Sequence, residues 1–567
     1  MYGTLTEEQR VQDFQTLAGI YAKSYAPANW KILALGVNLF ETDKWVKRVR
    51  AAKSDLEHVQ ILIEYGASLQ DTHTGVSMLS NYLADLGFYC DLYDGKIMID
   101  RIDRFLLPTR NYPFVVGDEF VSLDGRPVMD IAQELLKVEG WGNPRAALRY
   151  AIQGITLRPQ ASRPFAVDLP NESSAVIRRQ DGTLETYKIK WDKTGLAIRN
   201  LGVAGTPGAL SSGLQLNMSS EIEKSPLEDR PAWNKLFYTS RITRLAKDRV
   251  RPLRAMIQSE DGEKTSFQAV RGFGSRDPIW TPPAGFQLRQ GRFSTHFFYS
   301  GTYLSDGQRI GYLRIPTFDF ASNTQLNQLA NEIVYFNNNT DGLVVDVMRN
   351  PGGRACSAVN AAAMLIPGTF NQIGFSIRPS LAWITLYDEA VIESEFFEDP
   401  QYVIDTLTFQ RQLLLDAFNN GRGMTGSIPF CGLDFNLRSQ SFAYQKPMIT
   451  LIDDFSTSGA DHFPAMLQDN KRGKLVGMRS NGAGGSVITT TAGGWSEVST
   501  GLTESVMVRL EERSYPGFPK STFIENVGVR PEIELDYMTV ANLRNAGQPF
   551  VEAFTKIIVD EIKASKP

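Results

Sequence analysis

The run Ile449-Thr-Leu-Ile-Asp-Asp-Phe-Ser-Thr-Ser458-Gly-Ala-Asp-His-Phe-Pro-Ala-Met-Leu-Gln-Asp469 constrains this chain more than any other stretch. Met448 to Ile452 form a continuous apolar and β-branched segment, short enough for a buried strand, and Asp453-Asp454 end it. Small residues make the turn. Phe463, Met466 and Leu467 then recur at helical spacing, so the order is strand, tight turn, helix, with Ser458 at the turn. The first N–H groups of a helix have no partner inside it and favour negative charge. Two readings are open: Ser456, Thr457 or Ser458 is an ordinary helix cap, or Ser458 is a nucleophile with the Gly459 N–H facing a developing oxyanion.

A chain of 567 residues exceeds one ordinary core, which predicts several domains. Apolar residues at 42% and charged residues at 22% are those of a globular protein, and no apolar window is long enough for a transmembrane helix. A net charge of −4 without a Lys/Arg block argues against nucleic acid as a partner. Cys90, Cys356 and Cys431 are odd in number and widely spaced, which indicates neither a disulfide framework nor a CxxC site. With no HExxH, Cys cluster or Walker A pattern, no metal or organic cofactor is implied. The first residues lack the basic and apolar regions of a signal peptide, so the expectation is a cytoplasmic protein or a mature chain, and the compartment stays open.

Four regions are expected. Residues 1–104 are a helical region that opens with a cap at Thr4 or Thr6 and carries the loop Gln70-Asp-Thr-His73-Thr-Gly75. Residues 105–200 are a β-rich module, with turns at Asp124-Gly125 and Asp181-Gly182, that resembles a PDZ domain; such domains add a peptide as a strand to a sheet edge. Gly202 to Gly213 lies in a linker spanning 201–250. From 251 to 567 strands alternate with helices, the pattern of an α/β domain. There the buried strand Asp341 to Met348 runs into Arg349-Asn-Pro-Gly-Gly353, where paired glycines leave backbone N–H groups open or make a plain turn.

Four histidines are candidates for a base. His58 lies within a helical stretch and His296 in an aromatic run, where packing roles are expected. His462 follows Ser458 by one helical turn, which carries it about 6 Å along the axis and away from the turn. His73 lies in a loop, where catalytic side chains concentrate or where a histidine is simply exposed.

Taken together, Gly-Leu-Val-Val-Asp-x-x-x-Asn-Pro-Gly-Gly353, Ser-x-Ser458-Gly-Ala-Asp and Leu-Gln-Asp-Asn-x-x-x-x-Leu-Val-Gly477 resemble the C-terminal processing, or tail-specific, serine peptidases. In the bacterial processing members a lysine serves as base, and its position falls here on Ala483, in Asn481-Gly-Ala-Gly-Gly485. Asp71-Thr-His73-Thr and Ile524-Glu525-Asn-Val-Gly-Val-Arg-Pro531-Glu are instead similar to segments of the branch with the tricorn core protease and the chlamydial protease-like activity factor, which pairs the serine with a histidine and a glutamate. The resemblance implies a serine endopeptidase acting on protein or peptide, with Ser458 as nucleophile, His73 as base, Glu525 orienting it, and an oxyanion hole from Gly459 with Gly352 or Gly353. It also implies a homodimer. Glu497, Glu504, Glu511 and Glu512 are rivals for the acid. A silent binding protein on the same fold is the alternative; an esterase is disfavoured because Ser456 replaces the first glycine of a G-x-S-x-G elbow.

Overall fold

The computed structural model describes residues 4–202, 270–421 and 423–566. Most of the expected linker, from 203 to 250, therefore lies outside the described residues. The chain opens with four helices, Glu7–Ser24, Ala28–Leu35, Asp43–Ala51 and Asp55–Ala67. Thr6 caps the first through a reciprocal bond with Gln9, and Ser54 caps the fourth. Beyond the fourth helix a short loop carries His73 into the strand Gly75–Ser77. That strand pairs antiparallel with Ser499–Thr503, which pairs in turn with Val487–Thr491. A loop near the start of the chain is thus fixed by residues more than 400 positions later.

Next comes an antiparallel sheet in the order Phe88–Tyr93, Lys96–Ile102, Glu119–Leu123, Glu172–Arg178, Leu184–Lys190. Both expected hairpins are present: Asp124 and Gly125 take φ of 50° and 79°, the left-handed pair that a two-residue turn requires, and Asp181 accepts the Thr183 N–H. The sheet reaches back to Phe88, ahead of the module start expected at residue 105.

From Gln287 onward a seven-stranded sheet forms the core, in the order Gln287–Gln290, Tyr299–Ser305, Gln308–Arg314, Gly342–Asp346, Met448–Ile452, Lys474–Gly477, Ile533–Glu534. The last five strands are parallel. Gly342–Asp346 and Met448–Ile452 lie in the middle and are buried at every residue, as continuous apolar runs dictate. Helices Asn323–Asn339, Ala355–Ala363 and Gly459–Asp469 contribute to the apolar core on one face, and Gln548–Ser565 to that on the other. The two central strands end beside each other, so the Asn-Pro-Gly-Gly turn and the Ser458 turn meet at the carboxyl end of a parallel sheet, where open α/β sheets place their sites.

One sequence expectation is corrected. Cys356 and Cys431 form a disulfide, closing 75 residues of chain, while Cys90 is free and buried. The partners come from the helix Ala355–Ala363 and from the return of an inserted helical pair, Leu381–Phe396 and Gln401–Asn419, and their Cα atoms are 5.3 Å apart. Spacing could not show this because the insert folds back on its own base.

The small sheet and the core are joined by a buried ion cluster. Arg149, on the helix Pro144–Gln153, donates from Nε and Nη2 to both oxygens of Asp91 at 2.9 and 2.7 Å, and from Nη1 to Asp454 at 2.5 Å. All three side chains are sealed from water, and Asp454 lies four residues before Ser458. Removing the cation strips Asp91 of its ion pair and leaves Asp454 only Arg145, at 3.6 Å, which costs roughly 3–5 kcal/mol. Arg149→Met is expected to lose about that much in urea unfolding.

Candidate active site

Ser458 occupies the N-cap position of Gly459–Asp469, yet it is not built like the other caps of this chain. Thr6, Ser54, Ser322 and Ser380 all cap helices from extended backbone. Ser458 has φ 58° and ψ −111°, a region where a non-glycine residue stores about 1–3 kcal/mol. Capping needs no such strain. The surroundings hold the turn in place: the Ser458 N–H donates to Asp461 Oδ2 at 2.8 Å, the Thr457 N–H to Asn350 O at 3.0 Å, and the Ser456 hydroxyl to Val347 O at 2.9 Å. The serine itself is half-buried, with access to solvent.

The Asn-Pro-Gly-Gly turn closes on this residue. A Cβ on Gly352, which has φ 90°, would stand 2.6 Å from Ser458 Cβ and 2.8 Å from Gly459 N, so only glycine fits. A Cβ on Gly459 would meet Gly353 N at 3.3 Å. The three expected oxyanion glycines are therefore in contact. They are not equivalent, because the Gly352 N–H is already donated to Asn350 Oδ1 at 2.8 Å.

Residues 481–484 form the hub of the site. Gly482 N–H and Ala483 N–H donate to the two oxygens of Asp461, at 2.9 and 3.0 Å, alongside the Ser458 N–H. The next N–H, of Gly484, donates to Glu525 Oε2 at 3.0 Å. Asn481 Oδ1 accepts the Thr72 hydroxyl at 2.5 Å, and the backbone of His73 passes close against Gly501, next to that loop's own sheet. Ala483, at the lysine position of the processing peptidases, is fully buried within this hub.

Burial sets the charges here. It pushes the carboxyl of Asp461 up to about 6 although three backbone N–H groups and the Ser480 hydroxyl oppose the shift. Glu525, fully buried, is pushed up to about 7 by burial and by the nearby charge of Asp71, against the pull of Lys31. Asp71 holds the histidine loop: its carboxylate accepts the His73 N–H at 2.9 Å and the Thr74 and Thr503 hydroxyls at 3.0 and 2.8 Å.

The rivals separate cleanly. His462 is fully buried, its imidazole pushed down to about 3 by desolvation and set edge-on to Phe375, so it packs the core beneath the serine. His58 is buried 3.8 Å from Asp13, and His296 accepts the Gly291 N–H. Glu497, Glu511 and Glu512 are exposed, and Glu504 is buried against Trp383, whose indole N–H donates to it at 3.1 Å. Lys31, which sequence reasoning passed over, donates to Glu525 Oε1 at 2.5 Å.

A strained serine stands at the carboxyl end of a parallel sheet with paired glycines against it, and the family comparison falls on the same region: residues 309–535 match peptidase family S41, and residues 82–197 match the PDZ domain. The chain is a serine-type peptidase. Along nearly its whole length it is similar to a protein of Chlamydia trachomatis serovar D, 26% identical over 96% of this chain and 91% of that one, and to a Chlamydia pneumoniae protein, 23% identical over 98% and 91%. The structure of mature CPAF complexed with lactacystin shares the fold, with a TM-score of 0.73 at 20% identity over 99% of both chains. Among the described residues no helix is long and apolar enough to cross a membrane.

Burial raises Glu504 from its ordinary 4.5 to about 7, so the folded state favours its protonated form. That contribution is complete below about pH 4.5 and is lost as pH rises through about 7. Glu504→Gln, which keeps an acceptor for Trp383, is therefore expected to unfold at least about 2 °C higher than wild type at pH 8, with the difference gone near pH 4, in differential scanning calorimetry.

Proposed function

We propose that this chain is an endopeptidase that cleaves peptide bonds through an acyl-enzyme on Ser458, with His73 as general base and Glu525 as the acid that orients and stabilises the imidazolium. The observation that carries the reading is the loop of Gly482 to Gly484, whose successive N–H groups bind Asp461, beneath the serine, and Glu525. One short loop thus fixes the distance between nucleophile and acid. The Asn481 to Thr72 bond brings the histidine loop to the same place.

In this mechanism His73 takes the Ser458 proton as Oγ attacks the scissile carbonyl. The carbonyl π electrons pass to its oxygen, which is held by the N–H groups of Gly459 and Gly353; Gly352 is set aside because its N–H is already donated. The imidazolium returns the proton to the leaving amine, and water repeats the sequence on the acyl-enzyme. A carboxylate on the far side of the ring keeps the imidazolium favourable, so Glu525 must be ionised for full rate. The PDZ domain at residues 82–197 supports a peptide as the substrate, held as an added strand.

Intact-mass labelling with a fluorophosphonate tests this. Wild type gains one adduct, Ser458→Ala gains none, and His73→Ala labels slower by at least about 10³-fold. Labelling that persists in Ser458→Ala, or that His73→Ala leaves unchanged, refutes the assignment. A wild-type chain that never labels points instead to a silent binding protein. The rate for wild type is expected to fall as pH drops through about 7, where the Glu525 carboxylate takes up its proton.

A further inference from the structure

The helix Ala28–Leu35 is built against the usual rule. It turns Lys31 fully inward and leaves Ile32 and Leu33 exposed, although burying an ammonium is costly and burying leucine is favourable. Something inside must require a cation at that point.

Lys31 Nζ has three protons, and all three are placed: on Glu525 Oε1 at 2.5 Å, on Asn526 Oδ1 at 2.7 Å and on Gln70 O at 2.9 Å. The first two acceptors belong to the turn that carries the acid. The third opens the loop that carries His73, and the Asn526 amide donates to the same carbonyl at 2.7 Å. The neighbouring Trp30 fixes the acid from its other side, its indole N–H donating to Glu525 O at 2.9 Å. We propose that Lys31 is a positioning residue of the catalytic site, which sets the orientation and charge of the Glu525 carboxylate and fastens it to the His73 loop. This rests on the assignment of Glu525 and His73 above and goes beyond it.

The groups that face Glu525 decide what Lys31 does. Lys31 approaches from its helix, the buried Tyr25 from the end of the first helix, Asp71 from the histidine loop, and the Gly484 N–H from the hub. One cation therefore serves two buried carboxylates. Burial alone would raise Asp71, yet Lys31, His73 and the hydroxyl and N–H donors together hold it below its ordinary range, whereas Glu525 remains raised to about 7. A proton entering this cluster goes to Glu525. Without Lys31 the Glu525 carboxylate keeps the Gly484 N–H against burial and the charge of Asp71, so it holds its proton to higher pH.

The test is the fluorophosphonate labelling rate from about pH 5.5 to 9.5 for wild type, Lys31→Met, Glu525→Gln and the double variant. Lys31→Met is expected to label at least about tenfold slower at pH 7 and to recover toward high pH, its rising limb displaced upward by about one unit or more. A lysine that served only as a structural tie would change stability and leave the limb in place. In the Glu525→Gln background, Lys31→Met is expected to change the rate less than about threefold, because the two residues act through one carboxylate. The double variant leaves neither member of the pair as an unpaired buried charge, so it keeps the test open if Lys31→Met alone does not fold. A Lys31→Met profile that matches wild type while Glu525→Gln is slow, or a double variant much slower than Glu525→Gln, overturns the inference alone. Glu525→Gln at the wild-type rate throughout overturns the triad assignment on which it rests.

Discussion

Three consecutive backbone N–H groups, of Gly482, Ala483 and Gly484, end on two buried carboxylates, and the rest of the site hangs from them. Asp461 collects the first two together with the Ser458 N–H and so braces the strained serine turn from below. Glu525 takes the third. Backbone donors have no rotamers to lose and cannot swing away, which makes them better spacers than side chains. A side chain at position 483 plays no part in this bracing. The loop therefore keeps its structural role without the lysine found in the processing peptidases, and in the proposed mechanism the base comes from a different part of the chain.

That part is the N-terminal loop, and its placement is expensive in chain entropy. The His73 loop is seated by the pairing of Gly75–Ser77 with Ser499–Thr503 and by Asp71, which gathers hydroxyls from both sides of that seam. Lys31 adds a second fastening a few ångströms away. The ion cluster of Arg149 does the same for the small sheet, joining Asp91 to Asp454 just ahead of the serine turn. These three fastenings are polar and buried, so each depends on its partner for both geometry and charge.

What the sequence disclosed follows from what is local. The change from a continuous apolar run to helical spacing marked the Ser458 turn, and paired glycines marked the turn opposite it, because both rest on residues adjacent in the chain. The Asp124-Gly125 and Asp181-Gly182 hairpins were visible for the same reason, and Asp94-Gly95, between Tyr93 and Lys96, carries an equal signal that extends the sheet back to Phe88. Lys31 was invisible: in Asn-Trp-Lys-Ile-Leu it reads as a surface lysine, and its partner lies 494 residues away. Glu504 and Glu525 differ in sequence only by motif, and it takes the fold to aim one at Trp383 and the other at the hub. The Cys356–Cys431 bond was hidden by a helical insert that separates the two cysteines by 75 residues and folds back between them.

The chain order of these parts has a consequence during synthesis. His73, the proposed base, is made first, Ser458 nearly 400 residues later and Glu525 later still, while Ile533–Glu534 completes the edge of the core sheet after all of them. A ribosome-bound intermediate holding His73 and even Ser458 still lacks Glu525 and the strand Ser499–Thr503 that seats the histidine loop. On the proposed triad, the growing polypeptide therefore cannot cut itself or its neighbours before those two segments have been made and have folded against the histidine loop.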